Sequence, residues 1–190
     1  MNRFFKGIST AVIVIGSYVG MGATGVAKAD GLRFAIYSPT ENTCLDVKDY
    51  STSPGAIVQT YQCTGTTNQL WNAEIIGYSP DGTESMRLIN VGSGLCLDLV
   101  YQGTNPGIGV LQAPCNNSGT QAWKVPSPSS AAGRQIVING AVYTYVDSYA
   151  AIHRNLINQA TGLCLQPGGA GQQVTQQACG AATTWRVPVF

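Results

Sequence analysis

Five side chains between residues 46 and 69 have the chemical types that bind a ring carrying several hydroxyl groups. A carboxylate can accept hydrogen bonds from two adjacent hydroxyls, amides both donate and accept, and an aromatic ring contacts the apolar face of a pyranose. These are the side-chain types that a sugar-binding site combines. The candidate residues are Asp46, Gln59, Tyr61, Asn68 and Gln69.

These residues lie in a segment that the chain repeats three times. Each copy has a Cys-Leu pair, a second Cys and then a Trp, and the two Cys are 19, 19 and 15 residues apart. Units this small cannot each bury their own apolar face, so the three copies must share one core. The copies begin at Cys44, Cys96 and Cys164, have their second Cys at Cys63, Cys115 and Cys179, and end at Trp71, Trp123 and Trp185.

The first copy resembles the ricin-B-type lectin modules, which also occur as carbohydrate-binding modules of bacterial glycosidases. The resemblance is carried by C-L-D-V from Cys44, by Tyr61 two residues before Cys63, and by N-Q-L-W ending at Trp71, and it extends over nearly all of the chain after residue 30. It implies an all-β fold, a β-trefoil with three pseudo-threefold-related lobes. It also implies roles for the five candidates: Tyr61 as stacking platform, Asp46 as charged acceptor, Asn68 as donor to a hydroxyl, and Gln59 and Gln69 as residues that orient the others or hold Asp46.

The other two copies keep only part of this set. The second copy retains Asp98 and Gln121, and Tyr101 is an alternative aromatic residue there, but the third copy has neither the carboxylate nor the aromatic. We therefore expect one intact site, in the first lobe. The replacements are Leu111, Ala113 and Thr120 in the second copy and Gln166, Thr175, Gln177, Ala182 and Thr183 in the third.

Some repeated residues are better explained by the fold than by a ligand. Trp71 and its two counterparts recur whether or not the polar residues survive, so we expect them in the core. Gln69 and Gln121 have two explanations, because the Gln of a Q-x-W motif can serve hydrogen bonds of the fold itself.

The six Cys residues allow 15 pairings, of which the repeat favours the three within single copies, Cys44–Cys63, Cys96–Cys115 and Cys164–Cys179. A zinc site is the alternative, but the Cys are widely spaced and the single His153 stands in no ligand motif. We predict three structural disulfides, each in one lobe, with no metal and no cofactor.

Residues 1–29 have the pattern of a secretory signal peptide. Arg3 and Lys6 precede an apolar run from Ile8 to Met21, and Ala27-Lys28-Ala29 is a small-x-small cleavage site. A permanent membrane anchor is the alternative, but the run is shorter than the roughly 20 apolar residues that a spanning helix needs. We expect a secreted protein with one lectin domain, residues 30–190, and lobes at about 30–74, 75–126 and 127–190.

The charge of the expected mature chain is slightly negative. Removing Arg3, Lys6 and Lys28 from the 10 basic residues leaves 7 against 9 acidic ones, a net charge of −2. Nucleic acids and anionic membranes select for a basic face, so neither is expected as a partner. We expect a monomer that binds a carbohydrate, either a galactose-type sugar or a plant or cell-wall polysaccharide such as xylan.

Alternating apolar residues predict strands at 32–37, 86–91 and 155–158, and no stretch of the mature chain has a helical period. Asp81-Gly82 predicts a turn. A loop at 126–132 opens an insertion that continues as a predicted hairpin around Asn139-Gly140.

Nothing in the sequence indicates an enzyme. A glycosidase needs two carboxylates facing across a cleft, and no such pair, hydrolase motif or phosphate-binding loop is apparent. The alternative function is a non-catalytic interaction protein of the same fold, either a protease inhibitor or the cell-binding subunit of a secreted complex. The insertion around residues 126–150 would then be the contact surface.

Overall fold

The structure is a computed structural model that describes residues 33–39, 41–78, 83–125, 133–138, 141–146 and 153–187. The described part consists of strands joined by turns and by one-turn 3-10 helices, and none of these helices is long and apolar enough to cross a membrane. The strands are β1 (Arg33–Ala35), β2 (Tyr37–Ser38), β3 (Thr43–Val47), β4 (Val58–Tyr61), β5 (Leu70–Tyr78), β6 (Glu84–Asn90), β7 (Cys96–Leu99), β8 (Val110–Ala113), β9 (Trp123–Lys124), β10 (Gly133–Ile138), β11 (Ala141–Val146), β12 (His153–Asn155), β13 (Ile157–Asn158), β14 (Cys164–Gln166), β15 (Thr175–Gln177) and β16 (Thr184–Arg186). The 3-10 helices are Lys48–Tyr50, Thr67–Gln69, Val100–Gln102, Gly119–Gln121 and Ala181–Thr183.

The same strand pattern occurs three times. In each lobe the strand with the first Cys pairs with the strand before the second Cys: β3 with β4, β7 with β8 and β14 with β15. The lobes join through antiparallel pairs of flanking strands, β5 with β6, β9 with β13 and β16 with β2. The fold is a β-trefoil of three related lobes, which confirms the expected fold class.

The repeated Leu and Trp residues build the shared core. Trp71, Trp123 and Trp185 have no exposed surface. Each indole Nε1 donates to the carbonyl of the Leu that follows the first Cys of its own lobe, at 3.1, 3.2 and 2.8 Å. These Trp residues are therefore core residues, as predicted.

A disulfide closes each lobe, and all three pairings are those that the repeat predicts. The bonds span 19, 19 and 15 residues, and no described Cys is free. Loops of this length correspond to about 3 kcal/mol of stabilisation each through the unfolded state.

Each lobe is connected to a loop of a neighbouring lobe by side-chain hydrogen bonds. The side chain belongs to the residue three positions before the second Cys of the lobe. The side chains of Gln112 and Gln176 each donate to two backbone carbonyls, and the Thr60 hydroxyl faces two carbonyls in the same way. The three contacts close a ring around the pseudo-threefold axis. The acceptors are Ser51 and Ser53 for Gln112, Gly103 and Asn105 for Gln176, and Gly168 and Gly169 for Thr60.

Differences from the predicted strands are local. The strand expected at 32–37 is two short strands interrupted at Ile36, which is fully buried. In the insertion, β10 and β11 pair over six positions and join no other described strand. The predicted turns at Asp81-Gly82 and Asn139-Gly140, the loop at 126–132 and the leader at 1–29 lie outside the described residues.

Candidate functional site

The β3–β4 pair places three of the five candidates on one face. Asp46 lies opposite Gln59, and Cys44 lies opposite Tyr61. Since side chains alternate along a strand, Gln59 and Tyr61 project to the same side as Asp46. The 3-10 helix Thr67–Gln69 brings the last two candidates beside them. All five line one cavity of about 340 Å³, within the size range of ligand sites.

Asp46 is the centre of this cluster. Its side chain is only 3% exposed, and its carboxylate accepts three amide hydrogen bonds. Oδ1 accepts from Gln59 Nε2 at 2.8 Å, and Oδ2 accepts from Asn68 Nδ2 at 2.7 Å and Gln69 Nε2 at 3.0 Å. A carboxylate has about four acceptor positions, so one position on Oδ1 remains for a ligand hydroxyl.

Burial raises the pKa of the Asp46 carboxyl above its ordinary value of 3.8. The amide donors Gln59, Gln69 and Asn68 oppose this because they stabilise the charged form, and the nearby negative charge of Asp49 raises the pKa further. The site therefore holds a desolvated acceptor that is charged only above this raised pKa.

Gln69 both holds Asp46 and organises the loop after Cys63. Its Nε2 also donates to the Gln62 carbonyl at 2.8 Å, and its Oε1 accepts from the backbone nitrogens of Thr64 and Gly65. With both hydrogens and the oxygen engaged inside the protein, Gln69 serves to position the carboxylate.

Asn68 is similarly engaged. Its Nδ2 donates to Asp46 and, at 3.1 Å, to the Val47 carbonyl, while its Oδ1 accepts from the Thr66 hydroxyl. Donation from Asn68 to a ligand hydroxyl would thus need one of these two contacts to be exchanged. Asn68 lies in the 3-10 helix Thr67–Gln69. Asn90 of the second lobe holds this helix in place, because its Nδ2 donates to the Asn68 backbone carbonyl at 2.9 Å.

Of the five candidates, Tyr61 leaves the most exposed surface for a ligand and Gln59 the most unused hydrogen-bonding capacity. Tyr61 is 48% exposed at the cavity, as a stacking platform requires. Gln59 is buried, and its described side-chain hydrogen bond, to Asp46, uses one of its two amide hydrogens.

Five residues that the sequence reasoning missed also line the cavity. Asp49 and Tyr50 have positive φ angles of 55° each, which is uncommon for residues other than glycine. Gly171 comes from the third lobe, held there because its nitrogen donates to the Thr60 carbonyl at 2.7 Å. No sequence signal points to Gly171, since its position depends on the ring closure between lobes. The five are Lys48, Asp49, Tyr50, Thr64 and Gly171.

The second lobe keeps the Gln–Asp pair of the first lobe but lacks the counterparts of Gln59, Tyr61 and Asn68. Gln121 Nε2 donates to Asp98 Oδ2 at 2.9 Å, as in the first lobe, but Asp98 Oδ1 accepts from the adjacent Leu99 nitrogen. Leu111 lies opposite Asp98, where the first lobe has Gln59. Tyr101, the alternative aromatic residue, is 98% exposed.

The third lobe has Gln166 at the position of the carboxylate, opposite Thr175, and Gln177 opposite Cys164.

Among the described residues of the whole chain, no group of three or more His, Cys, Asp or Glu side chains could hold a metal ion.

The ricin-type beta-trefoil lectin domain-like family matches residues 25–107 and 75–155, overlapping segments that together make up more than half of the chain. The chain belongs to this family. No curated protein sequence matches it.

Solved structures share the fold at low sequence identity. The designed threefold-symmetric protein ThreeFoil is 22% identical with a TM-score of 0.63, over 83% of this chain and 99% of its own. An exo-beta-1,3-galactanase from Clostridium thermocellum is 17% identical with a TM-score of 0.66, over 85% of this chain but only 31% of its own. A Polyporus squamosus lectin bound to Neu5Aca2-6Galb1-4GlcNAc is 16% identical with a TM-score of 0.55, over 80% of this chain and 47% of its own.

Proposed function

We propose that the protein is a secreted carbohydrate-binding protein whose main site is the first-lobe cavity. One observation carries this proposal: a half-exposed Tyr61 lines the same cavity as Asp46, whose carboxylate is held by three amides. Membership of a lectin-like family supports carbohydrate as the ligand class.

The sugar would lie with its apolar face on Tyr61. Its hydroxyls would reach the remaining acceptor position on Asp46 Oδ1 and the unused groups of Gln59. Asn68 and Gln69 would fix the carboxylate in place.

A galactose-type sugar or a xylan-like glycan would suit this site. Galactose is favoured by two solved relatives of the fold, since one is a galactanase and the other is bound to a galactose-containing glycan. Because one platform and a few solvent-competed hydrogen bonds carry the affinity, we expect about −4 to −6 kcal/mol, nearer millimolar than nanomolar.

The protein would bind the sugar without cleaving it. Among the described residues that line the cavity, the one further carboxylate is Asp49, three residues from Asp46 on the turn that follows the same strand. A glycosidase places two carboxyl groups on either side of the scissile bond, whereas Asp46 is enclosed by its amides.

Secretion is part of the proposal. Three disulfides suit an oxidising compartment, and cleavage before Asp30 would leave a domain of residues 30–190, with lobes at about 30–74, 75–126 and 127–190. N-terminal sequencing of the secreted product should begin at Asp30. A product that retained Ile8 to Met21 would indicate an anchor instead.

A second function is supported by the insertion. The β10–β11 sheet pairs with no other described strand, and open strand edges are templates for pairing with another chain. This feature favours an interaction protein, either a protease inhibitor or the cell-binding subunit of a secreted complex.

A glycan array followed by calorimetry separates the two functions. Binding of galactose, lactose or xylooligosaccharides at a stoichiometry near one, lost in Asp46→Ala and kept in Asp98→Ala, would support the sugar site. Retention of binding in Asp46→Ala would refute the assignment of the first lobe. An array without any bound glycan would favour the interaction protein.

A further inference from the structure

Tyr50 is an aromatic residue in the first-lobe cavity whose presence the fold does not explain. It is 63% exposed and lines the same cavity as Asp46 and Tyr61. A tyrosine exposed to this degree contributes little to a packed core.

The backbone at this turn does not require an aromatic residue. Tyr50 has a φ of 55°, and its counterpart in the second lobe, Gln102, has a φ of 53°. Both turns are one-turn 3-10 helices at the same distance after the first Cys of their lobe. Since Gln adopts the same strained conformation, the turn is a property of the fold and the aromatic ring at residue 50 is a separate feature.

The register of β3 and β4 shows where Tyr50 and Tyr61 lie relative to Asp46, the carboxylate acceptor. The β3–β4 pairing begins where Cys44 faces Tyr61, passes Asp46 and continues until the Lys48 nitrogen donates to the Ile57 carbonyl at 3.0 Å. Lys48 is four residues, or roughly 13 Å of strand, beyond Cys44, the residue that faces Tyr61. The turn that carries Tyr50 begins at Lys48. Along β3, Asp46 therefore lies between the residue that faces Tyr61 and the turn that carries Tyr50.

We infer that Tyr50 is a second aromatic sugar contact and that the cavity binds a glycan of at least two linked residues. The first sugar stacks on Tyr61 with a hydroxyl on Asp46, and the next one extends past Asp46 onto Tyr50. Lys48 and Asp49, which line the same end of the cavity, supply a donor and an acceptor for its hydroxyls. This inference rests on the proposed function of the first-lobe site.

The test compares single sugars with longer ones on matched variants. Tyr50→Gln installs the residue that the second lobe carries in this conformation, and Tyr50→Phe keeps the aromatic ring. Tyr101→Asn removes an exposed tyrosine from the second lobe. Calorimetry would use the pairs galactose and lactose, and xylose and xylotriose, and thermal unfolding would check that each variant folds.

Tyr50→Gln should weaken binding of the longer sugar of the responding pair by roughly 2- to 13-fold, the usual contribution of an aromatic contact. Binding of the single sugar should not change, and Tyr50→Phe and Tyr101→Asn should bind both like the wild type. Equal losses for both sugars would place Tyr50 on the first sugar and overturn the two-residue site. Unchanged binding of both would overturn any contact with Tyr50. In either case Asp46→Ala still tests the proposed function separately, and a wild type that binds none of the four sugars and no glycan on the array would refute both.

Discussion

Gln69 holds the Asp46 carboxylate in the first lobe as Gln121 holds Asp98 in the second. In both lobes the amide Nε2 donates to Oδ2 of the Asp, at 3.0 and 2.9 Å, and also to the backbone carbonyl of the residue just before the second Cys of the lobe. The carboxylate and its Gln are thus scaffold that two lobes share. What distinguishes the first lobe is the set of proposed ligand contacts around its carboxylate, Gln59 and Tyr61.

Replacing Tyr61 by alanine should abolish detectable sugar binding. The variant loses the half-exposed ring at the cavity, and an aromatic contact contributes about 0.5–1.5 kcal/mol. For a site of millimolar affinity this moves binding beyond the range of calorimetry with galactose.

Two variants control this experiment. Tyr61→Phe should retain binding, because the ring and not the hydroxyl provides the stacking surface. Tyr101→Ala should bind like the wild type, since Tyr101 belongs to the second lobe. Loss of binding in Tyr101→Ala would show that the second lobe contributes.

Sugar binding should weaken on acidification as Asp46 takes up a proton. Burial raises the pKa of this carboxyl above 3.8, so its charged acceptor is lost at a higher pH than for an exposed Asp. Asp49→Asn should shift the midpoint of this loss to lower pH, because the charge of Asp49 helps to raise the pKa of Asp46. A midpoint that does not move in calorimetric titrations between about pH 3.5 and 7 would contradict this coupling.

The same pKa shift predicts the opposite trend for stability. The folded state binds the Asp46 proton more tightly than the unfolded state, whose pKa is near 3.8. The contribution of this group to the free energy of unfolding is therefore largest below 3.8 and falls as pH rises through the raised folded pKa. Compared with wild type, Asp46→Asn should lack this decrease in urea unfolding measured across that window, and an identical pH profile would contradict it.

The repeat explains why much of the fold and part of the site could be predicted. Cys and Trp recur in every copy because the core needs them, and the five candidate residues lie near each other along one strand pair and the following helix. Tyr50 was missed because it lies outside the motifs that carry the family resemblance, C-L-D-V from Cys44, Tyr61 and N-Q-L-W. Gly171 was missed because only the contact of Thr60 with the third lobe brings it to the cavity.

Gln112→Ala should destabilise the fold by about 1.5–4.5 kcal/mol. The side chain donates to the Ser51 and Ser53 carbonyls of the first lobe and accepts from the Ser93 hydroxyl, and buried hydrogen bonds of this kind contribute about 0.5–1.5 kcal/mol each. Urea unfolding of the oxidised protein measures the change. Gln62→Ala, at an exposed position, should change stability by less than about 0.5 kcal/mol. Equal stabilities would show that the contact between lobes contributes nothing.

Removing disulfides should separate stability from binding. Replacing both Cys of the third lobe by Ser, or both of the first, should cost about 3 kcal/mol in either case, because loops of 15 and 19 residues differ little in closure entropy. Only the change at Cys44 and Cys63 should also weaken sugar binding, since Cys44 faces Tyr61 across β3 and β4. Equal effects on binding, measured by calorimetry below the unfolding temperature of both variants, would mean that the bonds act only on global stability.

A second sugar site should appear when the missing side chains are installed in the second lobe. The register is the same in both lobes: Cys96 faces Ala113 and Asp98 faces Leu111, as Cys44 faces Tyr61 and Asp46 faces Gln59. Since Gln121 already holds Asp98 Oδ2, the triple variant Leu111→Gln, Ala113→Tyr, Thr120→Asn completes the set.

In this triple variant the amide introduced at position 111 would donate to Asp98 Oδ1 in place of the Leu99 nitrogen, as Gln59 donates to Asp46 Oδ1. The calorimetric stoichiometry for the sugar that the wild type binds should rise from near one to near two. Adding Asp98→Ala should return it to one, and adding Asp46→Ala instead should leave one site, in the second lobe. A correctly folded triple variant that stays at one site would show that these five positions are insufficient, and would make the cavity walls at Tyr50 and Gly171 necessary parts of the first-lobe site.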